Sequence, residues 1–216
     1  VIDVFRAFSL EAYMMAAGAD KILAVGAEET ARRLKAEHPE YVLAGERHGV
    51  ILPGFDLGNS PWQARELDLM GKTVVHTTSA GTQGLVAASR GADQILTGAL
   101  VNAKAIASYI AGKNPENVSI CCMGVEGLEE APEDELCGRY LNYLLNVGNA
   151  SASQTFDMDS ELEVLRHTGE GAKFFEAETQ HIFPERDYWM STQVDRFDFV
   201  LEARQIAEDI FEVKKL

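Results

Sequence analysis

The chain has 216 residues, 46% of them hydrophobic, and a formal net charge of −15, with a pI of about 4.7. That charge argues against a nucleic-acid binder, which needs clustered Lys and Arg to neutralise phosphates. It leaves open an anionic small molecule held by the local field of a cleft. No apolar run approaches the ~20 residues of a membrane span, and no charged-then-apolar leader opens the chain. Three cysteines, Cys121, Cys122 and Cys137, are an odd number and too few for a disulfide framework, so the simplest compartment is reducing and cytoplasmic.

VIDVF opens in the middle of an apolar run without a Met, which suggests a domain entered part-way, with an upstream strand missing. VIDVF, KILAV, YVLA, TVVHT, QILTG and VSICCM have the composition of six buried strands, short and apolar throughout and bounded by turn residues. Between them SLEAYMMAAG, EETARRLKAEHP, SPWQARELDLMG, TQGLVAASRG and NAKAIASYIAG carry helix signatures. Ser60-Pro61-Trp62-Gln63 is a capping box with Pro at the first helical position and Gly71 past the end; Asn102 starts a helix that Gly112 stops. This alternation predicts an α/β fold, a three-layer α/β/α sandwich whose mainly parallel sheet is built from βαβ units.

Beyond residue 131 the pattern changes. PEDELCGRYLNYLLN and DSELEVLRHTG are expected helices, the second capped by Asp159 or Ser160. FDFVLEA is an expected strand and ARQIAEDIFEV an expected helix. Residues 1–216 are expected to form a single domain, with 150–216 a C-terminal subregion. That acidic, aromatic subregion shows no chemistry of its own. It either closes over the rim of the sheet or packs against a second subunit in a homodimer.

The polar residues fall in a consistent place. Arg6, GERHG (45–49), TTSAGT (77–82), GALVN (98–102) and GVEGLEEAPED (124–134) each follow an expected strand. In a parallel sheet those ends share one rim, where α/β folds bind ligands. GERHGVILPGFDLGNSP (45–61) is far longer than a usual connection of about 4–6 residues, and it reads as a wall of that site. In TTSAGT, Thr77, Thr78, Gly81 and Thr82 lead into a helix start and make an anion cradle. Arg6 and Arg47 offer planar forks for phosphate, sulfonate or carboxylate oxygens. Asp3, Glu46, Asp56, Glu133 and Asp134 surround them, and hard carboxylates beside an anion site suggest Mg²⁺. Asp3, Glu46 and Asp56 are the expected metal ligands or general base, with Asn59, Ser60 and Asn102 on the substrate side. Phosphoryl transfer from a small phosphorylated anion follows.

Each feature also has a plain reading. TTSAGT is equally a turn and N-cap, and Asn59-Ser60 and Asn102 equally helix caps. Arg6 is equally the structural partner of Asp3, whose buried charge needs one. Glu133 and Asp134 suit the N-terminus of any helix. Cys121 and Cys122 are expected in the core, and Cys137 in packing. Arg47-His48-Gly49 imitates the R-H-G of histidine phosphatases but follows the third strand instead of the first. Asp157-Met158-Asp159 imitates the D-x-D of haloacid-dehalogenase-type phosphatases but follows no apolar strand. No G-x-x-x-x-G-K-[ST] is present. A non-catalytic anion-binding module and a metal-independent phosphatase using His48 remain as alternatives.

VIDVFRA, LAGERHG, GFDLGNSP, TTSAGT, LVNAKAIA and APEDELCG, in this order and spacing, resemble the motifs of the 2-phosphosulfolactate phosphatase family. The resemblance covers about residues 1–145 and resumes weakly at QVDRFDFV, with GFDLGNSP and GER the most specific parts. It implies an α/β/α, Mg²⁺-dependent acid phosphatase that converts 2-phospho-3-sulfolactate to 3-sulfolactate and phosphate, a step toward coenzyme M. By matching position it implies a site drawn from Asp3, Arg6, Glu46, Arg47, Asp56, Asn59, Ser60, Thr77, Thr78, Gly81, Thr82, Asn102, Glu133 and Asp134. The chain departs at Phe8-Ser9-Leu10 where the family has threonines, at Ala80 where it has Asn, at Gln83 where Arg is common, and at Cys137 where Ala is usual. Losing an Asn and a cation from the cradle bears on the sulfonate more than on phosphatase chemistry, so another phosphorylated hydroxy acid stays open.

Overall fold

KILAV, YVLAGER and TVVHT form strands in the structure, a computed structural model that describes residues 1–147 and 155–216. The first half runs α1 (Ala7–Ala16), β1 (Lys21–Val25), α2 (Glu28–Glu37), β2 (Val42–Arg47), β3 (Val50–Ile51), α3 (Pro61–Ala64), β4 (Thr73–Thr77), α4 (Gly81–Ala88) and β5 (Leu96–Thr97). There follow α5 (Ala103–Lys113), α6 (Pro132–Asn146), α7 (Met158–Arg166), α8 (Gly169–Ala172), α9 (Glu185–Ser191), β6 (Leu201–Ala207) and β7 (Ile210–Lys215). The strands join in one sheet of order β3-β2-β4-β1-β7-β6-β5.

The fold is α/β, but its sheet is mixed, not mainly parallel. β4 pairs in parallel with β1 and β2, whereas β1–β7, β6–β7, β5–β6 and β2–β3 are antiparallel. The expected helix ARQIAEDIFEV is instead most of the β6–β7 hairpin. Leu201, Ala203, Phe211 and Val213 are buried where Glu202 and Glu212 are only partly so, a period of two, and Glu208-Asp209 make the turn. Asp209 then fixes this hairpin to the β1–α2 turn. Its carboxylate accepts from the Gly26 N–H at 3.0 Å, the Ala27 N–H at 3.0 Å and the Thr30 hydroxyl at 2.9 Å, capping a helix from outside its own sequence.

The sheet's side chains sort by face, as pleating requires. Ile22, Ala24, Ala44 and Val74 join a large core with α1, α5 and α6. Leu23, Val25, Leu43 and Val75 join a smaller one with Ala31 and Leu34 of α2.

Other expectations shift. VIDVF is not a strand: Ile2 alone bridges Gly98 on one side and Cys122 on the other, and the chain then turns into α1. VSICCM keeps only that bridge, leaving Cys121 exposed and Cys122 half-buried; Cys137 is buried. The helix begun at Pro61 ends after one turn at Ala64, well short of Gly71. α5 ends on Asn114 in the left-handed region, with φ of 47°, instead of at Gly112. Asp157 caps α7, in place of Asp159 or Ser160. The boundary expected at residue 150 lies outside the described residues. No helix among the described residues is long and apolar enough to cross a membrane.

Candidate active site

The carboxyl ends of β2 and β4 open on a cavity of about 220 Å³, lined among others by Asp3, Arg6, Glu46, Asn59 and Glu133. GERHG and the loop before α4 therefore meet as the sequence suggests. GALVN adjoins the floor without lining the cavity: Gly98 runs parallel to Ile2, and its carbonyl accepts the Asp3 N–H at 3.2 Å. Asn102 instead closes its own turn, accepting the Ala99 N–H at 3.1 Å.

The floor is acidic and buried. Asp3 reaches it from the first residues of the chain; one oxygen accepts the Ala7 N–H at 3.1 Å. The other lies against Gly81, the first residue of α4. A Cβ there would stand 2.8 Å from Asp3 Oδ2, 3.1 Å from Phe8 and 3.2 Å from Ala7, so only glycine lets the helix start approach the carboxylate. Gly81→Ala is expected to displace Asp3 and lower turnover roughly tenfold or more, since small misplacements of a reacting group are costly. Steady-state kinetics at unchanged folded content checks this.

Glu133, in the first turn of α6, faces the same space, and its buried Oε2 has no partner among the described residues. Burial, and then the neighbouring Asp134 charge, push the carboxyls of both Asp3 and Glu133 well above their usual range. Asp134 braces the group from behind, accepting the Val4 and Gly124 N–H groups, each at 2.8 Å. Burial raises its pKa to about 6 against the pull of those amides.

The structure separates the other expected residues into wall and scaffold. Glu46 lines the cavity, yet both its oxygens are engaged: Oε1 accepts the Ser79 N–H at 2.8 Å and Oε2 the Gly49 N–H at 2.7 Å, tying the β2–β3 turn to the loop before α4. Asp56 lies outside the cavity, accepting the Leu43 N–H at 2.8 Å and facing Lys35 at 3.8 Å. Thr78 and Thr82 turn inward and bond each other's backbone N–H, at 3.3 and 3.2 Å, so Ser79 and Ala80 present the cradle instead. Thr77 is buried and accepts from Arg47 at 3.2 Å, which keeps that guanidinium off the lining. Ser60 caps α3 through the Gln63 N–H at 3.1 Å.

Arg6 lines the cavity, but its partner is not Asp3. It donates to Asp187 at 2.7 Å and to the Ile182 carbonyl at 2.8 Å, with its guanidinium 4.9 Å from the Phe183 ring centroid. Asp187 also accepts from the Ser60 hydroxyl and the Trp62 N–H. The C-terminal subregion thus closes over the rim, and it adds Glu170, Lys173 and Phe183 to the wall. Lys173 is a cation that reading the sequence passes over; it pairs with Glu170 at 2.6 Å. His48, with φ of 53°, and Glu126, with φ of 55°, pair across the cavity mouth. Asp157 is exposed and caps its helix.

Among relatives, a probable 2-phosphosulfolactate phosphatase of Deinococcus radiodurans is 33% identical over 180 residues, covering 80% of this chain and 75% of that protein. One from Bacillus subtilis is 28% identical over 209 residues, covering 96% and 87%. One from Caldicellulosiruptor saccharolyticus is 40% identical over 144 residues, covering 65% and 59%. The family model described as 2-phosphosulpholactate phosphatase matches residues 1–205, a span that takes in the acidic floor, the cradle and the C-terminal wall alike, and on that match the chain belongs to the 2-phosphosulpholactate phosphatase family.

Proposed function

We propose that the chain is a Mg²⁺-dependent phosphomonoesterase that adds water across the phosphoester of 2-phosphosulfolactate, releasing 3-sulfolactate and phosphate. The names borne by the relatives give the substrate, and the three-layer family fold fits helices packed on both faces of the sheet. The observation that carries the chemistry is the pair of buried carboxyls at the cavity, Asp3 with Oδ2 against the start of α4 and Glu133 with an Oε2 that has no partner among the described residues.

Those carboxyls fit a hard cation. Among the described residues no group of three or more His, Cys, Asp or Glu stands ready as a metal site. Mg²⁺ does not need one, because it commonly takes one or two carboxylates and fills its remaining positions with water and phosphate oxygens. Asp3 and Glu133 would hold it, in place of Glu46 and Asp56: Glu46 is engaged with backbone N–H groups, and Asp56 lies outside the cavity. When bound, the cation would offset phosphate charge and acidify water. The chain's own residues do the rest. The N-terminal end of α4 adds the positive end of its dipole beside Asp3, its Thr82 N–H being taken by Thr78, Lys173 and Arg6 supply positive charge, and Phe183 with the Glu46-braced turn limits access by water.

Phosphate release from 2-phosphosulfolactate and a panel of phospho-2-hydroxy acids, with Mg²⁺ and with EDTA, tests the reading. Release that needs Mg²⁺ supports it, and the preferred member names the substrate. Release that survives EDTA and disappears in His48→Ala supports the histidine route. Phosphate binding without release from any ester supports a binding module.

The carboxyls also give a pH signature. With its folded pKa at about 6 against a usual 3.8, Asp134 keeps a proton that the unfolded chain has already released between those values. Metal-free stability therefore falls as pH rises through that window, and the raised Asp3 and Glu133 act in the same direction. A cation offsets the loss only once the carboxyls are ionised. Thermal melts are expected to show a larger Mg²⁺-induced rise in Tm at about pH 7.5 than at about pH 5; an equal or reversed effect counts against a metal on this cluster.

A further inference from the structure

We infer that Glu11 and His76 are positioning residues that hold the Asn59 side-chain amide with its NH₂ group turned into the cavity, where it donates to an oxygen of the anionic substrate. The inference deepens the phosphatase reading and rests on it.

His76 lies on β4 and Glu11 on α1, and neither has any solvent exposure. The His76 ring bridges them to the site: Nδ1 is 3.0 Å from Glu11 Oε1, and Nε2 is 2.9 Å from Asn59 Oδ1. Asn59 is 6% exposed, and its exposed part is cavity wall. Two ionisable groups at the centre of an apolar core cost free energy that a well-packed apolar pair would not. The sheet and α1 have no need of them, since the residues around them, Phe8, Leu10, Ala44 and Val74, are apolar.

The polarity of the chain decides which face of the amide the substrate meets. Each ring nitrogen faces an oxygen that only accepts, Nδ1 the Glu11 carboxylate and Nε2 the Asn59 carbonyl, so the arrangement is satisfied when both donate. A ring that also carries a proton on Nε2 donates to Asn59 Oδ1. The NH₂ group, which makes no hydrogen bond to protein among the described residues, is then left facing the cavity. A neutral ring with a bare Nε2 would draw the NH₂ inward and turn the carbonyl oxygen toward an anion, an opposed arrangement. Glu11 thus sets, two hydrogen bonds away, whether the cavity wall offers a donor or an acceptor.

The test is a double-mutant cycle of Glu11→Gln and Asn59→Ala, read as the Kd for inorganic phosphate by calorimetry in Mg²⁺ and as KM and kcat for phosphate release. Gln keeps the volume of Glu11 while replacing the acceptor-only carboxylate that faces Nδ1, and His76→Gln serves as a second variant if Glu11→Gln fails to fold. Each single change is expected to weaken phosphate binding roughly tenfold, the scale of one hydrogen bond to a charged group, and to raise KM more than it lowers kcat. The double variant is expected to be no weaker than Asn59→Ala alone. Wild-type phosphate affinity in Glu11→Gln, or losses that multiply in the double variant, overturns the proposal. A wild-type protein that binds phosphate with this coupling but releases none from any ester sinks the phosphatase reading and leaves this one standing. Turnover with uncoupled variants does the reverse, and a wild-type protein with neither binding nor turnover sinks both.

Discussion

Asp3→Asn is expected to lower phosphate release by roughly 10²–10³-fold at saturating Mg²⁺, about 3–4 kcal/mol, the scale of losing one preorganised electrostatic group. The fold is expected to be as stable as before, or more so. Both halves follow from the same position. Asn keeps the acceptor that takes the Ala7 N–H and fits the space against Gly81. It removes one negative charge from a buried set in which burial, and then the charge of Asp134, already make ionisation of Asp3 unfavourable. A purely structural Asp3 would behave in the opposite way, losing stability along with its role. Kinetics over a Mg²⁺ titration, set beside thermal melts without metal, separate the two. Unchanged turnover with saturating metal removes Asp3 from the chemistry.

Local patterns carried much of this molecule in plain sight. The apolar runs of β1, β2 and β4 and the helical stretches of α2, α4, α5 and α6 follow from periodicity and flanking Gly, Pro and Asn, and those elements frame the cavity. The hairpin of β6 and β7 did not show itself, because ARQIAEDIFEV is made of good helix formers whose period of two is set by tertiary burial. That single misreading also hid the antiparallel half of the sheet. The site divides in the same way. Clustered glycines and carboxylates pointed to stretches that do line the cavity, but a side chain's chemistry depends on what already occupies its oxygens. Glu46 and Asp134 are spent on backbone N–H groups, whereas Asp3 and Glu133 keep an oxygen facing the cavity or without a partner. No spacing rule distinguishes those cases. The remaining omissions, His76, Lys173 and Asp187, join the site through the fold. His76 looks like one more residue of a buried strand, and Arg6 finds Asp187 across 181 positions of sequence. Asp187 carries little signal in the sequence, since Glu185 and Arg186 precede it and make it look like part of a solvated helix start.

The pairing with Arg6 makes Asp187→Ala the substitution with the largest expected effect on stability, about 3–5 kcal/mol, the usual result of removing one member of a buried ion pair. The side chains of Arg6 and Asp187 are 3% and 0% exposed, so water cannot replace the lost contact. Burial raises the Asp187 pKa in spite of the nearby guanidinium, a sign of how strongly this interior resists charge. Deleting the carboxylate leaves Arg6 uncompensated, the Ser60 hydroxyl without its acceptor and the Trp62 N–H unpaired, so α1, α3 and α9 lose their common anchor. A fall in Tm of roughly 10 °C is expected, with a lower urea midpoint. The double variant Arg6→Met/Asp187→Leu tells what the pair is for. An apolar replacement of a buried ion pair is often neutral or better for stability, so the double variant is expected to recover much of the loss. It is not expected to recover phosphate release, because Arg6 forms part of the cavity wall and its positive charge would be gone. Recovery of both would make the pair dispensable to the site; recovery of stability alone would show that a costly buried charge is retained for the anion it faces.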